Sequence, residues 1–226
     1  MASRRAAVAL VAVAAGIPNV TSSARLNAPV LAIGLGANLP SASGGPIETL
    51  VAVRPQLDAL LRAWAGVSCE LVWSPLFRTA PVGGPPGQPD YVNAALVVQL
   101  AREPQHEAAL ELLDQLQRLE LAFGRQRLEH WGPRTLDLDL LWWGELRCDS
   151  PVLQLPHPRW QQRGFVLAPL AAIEQALEQP LPLPSGSLGL ADLLAFSPDG
   201  APQSLKPTPI GWDGSAAHGR PCEAGA

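Results

Sequence analysis

The chain sets short, nearly continuous apolar runs against two long amphipathic stretches, and each pattern predicts a different element. Residues 29–35, "PVLAIGL", are apolar, carry Val and Ile, and stop at Gly36, which predicts a buried first strand. The following "GANLPSASGGP" is a loop. Leu50, Val53, Leu57, Leu60, Leu61 and Trp64 then recur at spacings of three and four, the apolar stripe of an amphipathic helix. Pro55 removes a backbone bond inside that stripe, so a kink or a late helix start is expected.

Residues 67–79, "VSCELVWSPLFRT", read as extended, with Pro75 marking an edge or a bulge. "APVGGPPGQPD" is crowded with Pro and Gly and can only be a long loop. Residues 91–100, "YVNAALVVQL", predict another apolar strand. Pro104 is expected to open a helix that turns Leu112, Leu113, Leu116, Leu119 and Phe123 to the core and ends at Gly124. A strand over 135–143 follows. "LPHPRWQQRGFVLAPLAAI" then leads into a short final region ending near "LADLLAF". Past Phe196, Pro, Gly and Ala prevail without apolar periodicity, which predicts a disordered or loosely attached tail over 197–226. The order strand, helix, strand, strand, helix, strand predicts one α+β domain over 29–196, a sheet of the split βαβ kind with helices on one face.

Composition narrows the function classes. The 226 residues, 47% apolar and 16% charged, are enough for one substantial core and too few for two full-sized domains. A net charge of −4 disfavours a general nucleic-acid binder, which displays excess Lys and Arg over an extended face. A small anion held by a local basic cluster fits the same balance. Cys69, Cys148 and Cys222 match neither a disulfide scaffold nor a zinc knuckle, and read as buried or incidental thiols in a reducing, cytoplasmic setting. Arg4 and Arg5 precede an apolar stretch over residues 6–17, and no acidic residue occurs before Glu48. A signal or transit-like leader fits residues 1–28, and so does a non-essential extension or an early start codon. The stretch is too short to span a bilayer, and no membrane partner is expected.

The densest chemistry lies in "GPRTLDLDLLWW", residues 132–143. Successive side chains of a strand point to opposite faces, so Leu136, Leu138 and Leu140 share one side and Asp137 and Asp139 the other. Two residues rise roughly 6.6 Å, close enough for both carboxylates to touch one hard cation or a pair. A strand with one wet face would also carry alternate polar residues. Asp is a poor strand former, however, and like charges side by side raise each other's pKa unless a positive charge compensates.

Arg118, Arg125, Arg127 and Arg134, with His130 and Trp131 among them, fill the segment before the aspartates. Guanidinium forks suit phosphate oxygens, and hard cations bridging the same phosphates would complete a polyphosphate site. A solvated basic loop is the plainer alternative. No "GxxxxGK[ST]" occurs, and "GLGANL" at 34–39 is not a GxGxxG loop, so a nucleotide would be held by side chains and metal. That combination points to metal-assisted phosphoryl chemistry.

Three ordered motifs, "RTAPVGGPPGQPDYVNAALVV", "LELAFGRQRLEHWGPRTLDLDLL" and "LPHPRWQQRGFVLAPL", resemble the 6-hydroxymethyl-7,8-dihydropterin pyrophosphokinases of folate biosynthesis over roughly residues 30–196. The resemblance implies a ferredoxin-like α+β domain that moves pyrophosphate from ATP to the pterin hydroxymethyl oxygen and releases AMP. It implies that Asp137 and Asp139 hold two Mg²⁺ ions, with Arg125 and Arg134 joining them as catalytic residues. Glu120, Arg125, Arg127, His130, Trp131, Arg134, His157 and Arg163 would form the ATP site. Tyr91 and Phe165 would sandwich the pterin, Asn93 would satisfy its amide-like edge, and Thr79, Pro81 and Val82 would wall the pocket.

The family usually has Arg where this chain has His130, which replaces a fixed charge with a ring whose charge near pH 7 is set by its surroundings, so weaker nucleotide contacts are expected there. ATP and the pterin are the expected partners of a monomer, and loops 37–46 and 82–90 are expected to move as lids. Two other classes are separable. A non-catalytic pterin- or nucleotide-binding paralogue should have lost the Asp pair, and an RNA-binding module needs exposed sheet aromatics in a basic field.

Overall fold

The computed structural model describes residues 29–126, 132–199 and 202–212. In chain order the elements are β1 (Val30–Ala37), α1 (Pro46–Ala65), β2 (Cys69–Trp73), β3 (Phe77–Thr79), β4 (Tyr91–Leu100), α2 (His106–Ala122) and β5 (Asp137–Trp143). They continue with β6 (Cys148–Asp149), β7 (Gln154–Leu155), α3 (Gly164–Leu177), α4 (Leu190–Phe196) and β8 (Gln203–Ser204). The main sheet runs β5-β1-β4-β3-β8, with β2 also paired to β4, and every pairing is antiparallel. β4 therefore lies between β1 and the β2–β3 pair. β6 and β7 form a separate two-stranded ribbon.

β1 is apolar throughout because both of its faces are covered. Leu31, Ile33 and Leu35 pack with α1 and α2 residues such as Leu57 and Leu112, whereas Val30 and Ala32 pack with α3 and α4 residues such as Leu167 and Leu193. Helices thus cover both faces, not the single face that the element order predicts. The missing layer is α3, whose stretch carries Gly164 and Pro169 and shows no clear polar face.

Pro55 lies inside α1, which runs unbroken from Pro46 in its first turn to a left-handed Gly66 at φ 63°. A single lost backbone bond is outweighed there by full burial of Leu50, Val53, Leu57 and Leu61. α2 begins at His106, two residues after Pro104, and Gly124 at φ 80° follows its end. Pro75 does mark a break. Ser74 bridges it, with its N–H donating to Ala95 O and its Oγ accepting from Ala95 N, both at 2.9 Å.

The segment beyond Phe196 is not loose as far as Trp212. β8 extends the sheet beside β3, and Leu205 N–H donates to Leu76 O at 2.8 Å. Trp212 is 2% exposed. Its indole N–H donates to Ser74 O at 2.8 Å and its ring meets Trp73 edge-on at 5.4 Å. The Arg54 guanidinium lies 5.0 Å from the Trp73 ring and 5.1 Å from that of Trp212. Two anchors spaced along a Pro/Gly-rich segment leave no periodicity, which is why the pattern predicts a tail.

Trp212→Ala removes a buried ring, an indole hydrogen bond and one side of a cation–π stack. It should lower unfolding free energy by about 3 kcal/mol in denaturant titrations. An unchanged midpoint would mean that the segment is not docked in solution.

Candidate active site

Strand register brings the site together. Gly36 of β1 stands opposite Asn93 on one side and Asp137 on the other, and Gly34 stands opposite Ala95 and Asp139. Tyr91 stands opposite Thr79. On β5, Leu138 and Leu140 enter the core beneath α1 and α2, as Leu136 does just before the strand, so Asp137 and Asp139 take the opposite face. That face is covered by α3 and α4 at one end and open at the other, and the opening is a cleft of about 1320 Å³.

Glycine at 36 keeps the floor low. A Cβ there would sit 3.0 Å from Asn93 Oδ1 and 4.0 Å from Asp137 Cβ. Asn93 is 4% exposed, and its Nδ2 donates to Thr79 Oγ1 at 2.7 Å. Thr79, Val82, Tyr91, Asn93 and Phe165 all line the cleft, as do Glu120, Arg125, Arg134, Asp137, Asp139, His157 and Arg163. Pro81 does not line it, although its neighbours Ala80 and Val82 do. Arg127, His130 and Trp131 lie outside the described residues.

The charges interlock. Arg125 Nη1 pairs with Glu120 Oε1 and with Asp137 Oδ1, the latter at 2.6 Å, while Arg134 Nη1 meets Asp137 Oδ2 at 2.5 Å. Glu120 is no helix-surface charge. It is 2% exposed and accepts the Leu138 N–H at 2.8 Å, which ties the end of α2 to β5. Among the described residues Asp139 has Arg163 as its ion-pair partner, at 3.8 Å, and 38% of its side chain is open to the cleft. Crowding by the cleft walls, with Asp137 adding to it, pushes the Asp139 carboxyl up to about 7.

His157 accepts the Arg159 N–H at Nδ1 at 3.2 Å, so its proton resides on Nε2. Burial first, and Arg163 second, push its pKa down to about 4. Arg163 also stacks on Phe165, with 5.4 Å between guanidinium carbon and ring.

Sequence reasoning missed the residue that joins the loops. Asn38 is 2% exposed, and its Oδ1 accepts the Arg134 N–H at 2.7 Å while Nδ2 donates to Pro89 O at 3.2 Å. The backbone N–H groups of Asn38 and Leu39 both donate to Arg134 O at 3.0 Å. Asn in an otherwise apolar and small-residue turn, "GANLP", was the available signal. Arg159, Gln162 and Asp199 also line the cleft. Among the described residues no group of three or more His, Cys, Asp or Glu could hold a metal, and no helix is long and apolar enough to cross a membrane.

A family model described as 7,8-dihydro-6-hydroxymethylpterin-pyrophosphokinase matches residues 32–175. Relatives named 2-amino-4-hydroxy-6-hydroxymethyldihydropteridine pyrophosphokinase include one from Pseudomonas aeruginosa, 46% identical over 67% of this chain and 88% of its own length. One from Synechocystis is 40% identical over 62% of this chain, and the match spans 64% of that relative. One from Haemophilus influenzae is 40% identical over 66% and 83%. A solved Plasmodium falciparum HPPK-DHPS structure superposes with a TM-score of 0.45 and 10% identity over 78% of this chain and 44% of that one, too distant to bear on the fold. With the match spanning most of the sheet and both cleft aspartates, the chain belongs to the 7,8-dihydro-6-hydroxymethylpterin-pyrophosphokinase family.

Proposed function

We propose that this protein transfers pyrophosphate from ATP to the hydroxymethyl oxygen of 6-hydroxymethyl-7,8-dihydropterin, releasing AMP, with two Mg²⁺ ions held by Asp137 and Asp139. The carrying observation is the row Asn93, Gly36, Asp137 across three neighbouring strands, which sets a buried amide and a carboxylate on one floor. The strand order, with β4 inserted between β1 and the β2–β3 pair, supports the ferredoxin-like assignment.

The donor chemistry fits magnesium. Both candidate ligands are hard oxygens on one face of β5, and Asp139 opens onto the cleft with Arg163, its ion-pair partner among the described residues, at 3.8 Å. Mg²⁺ is commonly held by one or two carboxylates, with phosphates and water completing its shell, so two aspartates suffice. When bound, the ions would neutralise phosphate charge and acidify the attacking hydroxyl.

The chain's own residues do the positioning. Asn93, braced by Thr79, offers a donor and an acceptor to the pterin edge, while Tyr91 and Phe165 supply aromatic faces. Arg125, Arg134 and Arg163 bring guanidinium groups to the phosphate side, and His157 presents its Nε2–H there as a neutral donor. Asn38 links the loop after β1 to the 80–90 loop and to Arg134, so closing of loops 37–46 and 82–90 would also seat that arginine. We read the protein as a monomer working in the cytoplasm, where ATP is abundant.

Asp139→Ala is the cleaner test, because Asp137 also anchors Arg125 and Arg134. AMP formation should fall by about a thousandfold while pterin affinity changes by less than about threefold. Undiminished turnover would remove the metal assignment.

His157 should titrate by NMR with a midpoint near 4 in the free protein. Its folded pKa lies below the unfolded value, so between pH 6.5 and 4 only the unfolded chain gains the proton and stability falls with pH. His157→Gln should flatten that part of the stability profile.

A further inference from the structure

The family match ends at residue 175, yet Pro198 and Asp199 line the cleft. Arg163, at the N-cap position of α3, makes no side-chain cap. Asp199 takes that place from 35 residues away, its Oδ2 accepting the Gly164 N–H at 2.9 Å. The approach is close. A Cβ on Gly164 would lie 3.0 Å from Ser197 Oγ and 3.2 Å from Asp199 Cβ. The turn thus capped carries Arg163, which faces Asp139 at 3.8 Å, and Phe165, which lies under its guanidinium. A few residues on, β8 and Trp212 anchor the same segment to β3 and Ser74.

We infer that Asp199 is a positioning residue: it caps α3 from the C-terminal segment and holds the Arg163–Phe165 corner in its substrate-ready place. A carboxylate accepting an N-terminal N–H satisfies an orphan donor and suits the helix dipole. Losing such a cap shifts the corner's order–disorder equilibrium about fivefold, and apparent affinity falls with the ordered fraction, by up to that factor. The effect on substrate rests on the pterin reading of Phe165 given above.

Steady-state kinetics on the full chain tests it. Asp199→Ala should raise the pterin KM about two- to fivefold with kcat within twofold, Gly164→Ala should do the same, and Asp199→Asn, which keeps an acceptor, should restore the wild-type value. Hydrogen exchange of the Val166 and Leu167 amides, both bonded to Arg163 O, should quicken about fivefold in Asp199→Ala without any ligand. A wild-type KM in Asp199→Ala, or a loss of kcat that Asn does not rescue, would overturn the inference. Should the wild-type chain show no pyrophosphoryl transfer, the functional reading fails, and the exchange rates alone decide the positioning role. Unchanged exchange would then refute it.

Discussion

Asp137 gripped by two guanidinium groups is the interaction on which the rest of the cleft depends. A carboxylate set into the floor of a sheet must be compensated, and Arg125 and Arg134 do this from the two ends of one connecting segment. Arg125 in turn answers the buried Glu120, and Arg163 answers Asp139. Three acidic groups therefore face three arginines, so this inner set is close to neutral before any ligand enters. A triphosphate arriving there brings charge that this set does not offset. On the proposed reading divalent cations would supply the remainder, and Asp139, the more open carboxylate, would help hold them.

The same geometry explains why small residues matter on β1. Gly34 and Gly36 lie between the carboxylates of β5 and the polar and small residues of β4, on the face that α3 leaves open. A side chain at 36 would meet the Asn93 amide before any substrate could. The strand gains its stability from its other face, where Leu31, Ile33 and Leu35 are buried against α1 and α2. One strand thus separates core from chemistry by alternation alone.

Much of this was legible in the sequence because burial on both faces leaves a plain mark. β1, β4 and β5 are long apolar runs, and a pair of Asp residues within one of them is hard to place except at a site. What stayed hidden depends on partners distant in the chain. α3 was obscured by Gly164 and Pro169, whose breaking tendency is overridden by packing of Leu167, Leu170 and Ile173 on the sheet. Glu120 could not be told from a surface charge, since its burial comes from β5 lying against the end of α2. Asn38 carried a faint signal, but its partners Pro89 and Arg134 are far away along the chain.

The segment after Phe196 shows how docking differs from patterning. An amphipathic helix advertises its buried face every three or four residues, whereas a strap needs only a few anchors. Here Asp199 caps a helix, Leu205 joins a sheet edge, and Trp212 fills a slot between Trp73 and Arg54. Each anchor engages a different element, so together they tie the segment to α3, β3 and α1. The family's matched core supplies the floor and the charges. In this chain the wall beside Phe165 is completed by residues beyond that core, and its rigidity follows from anchors that apolar periodicity does not reveal.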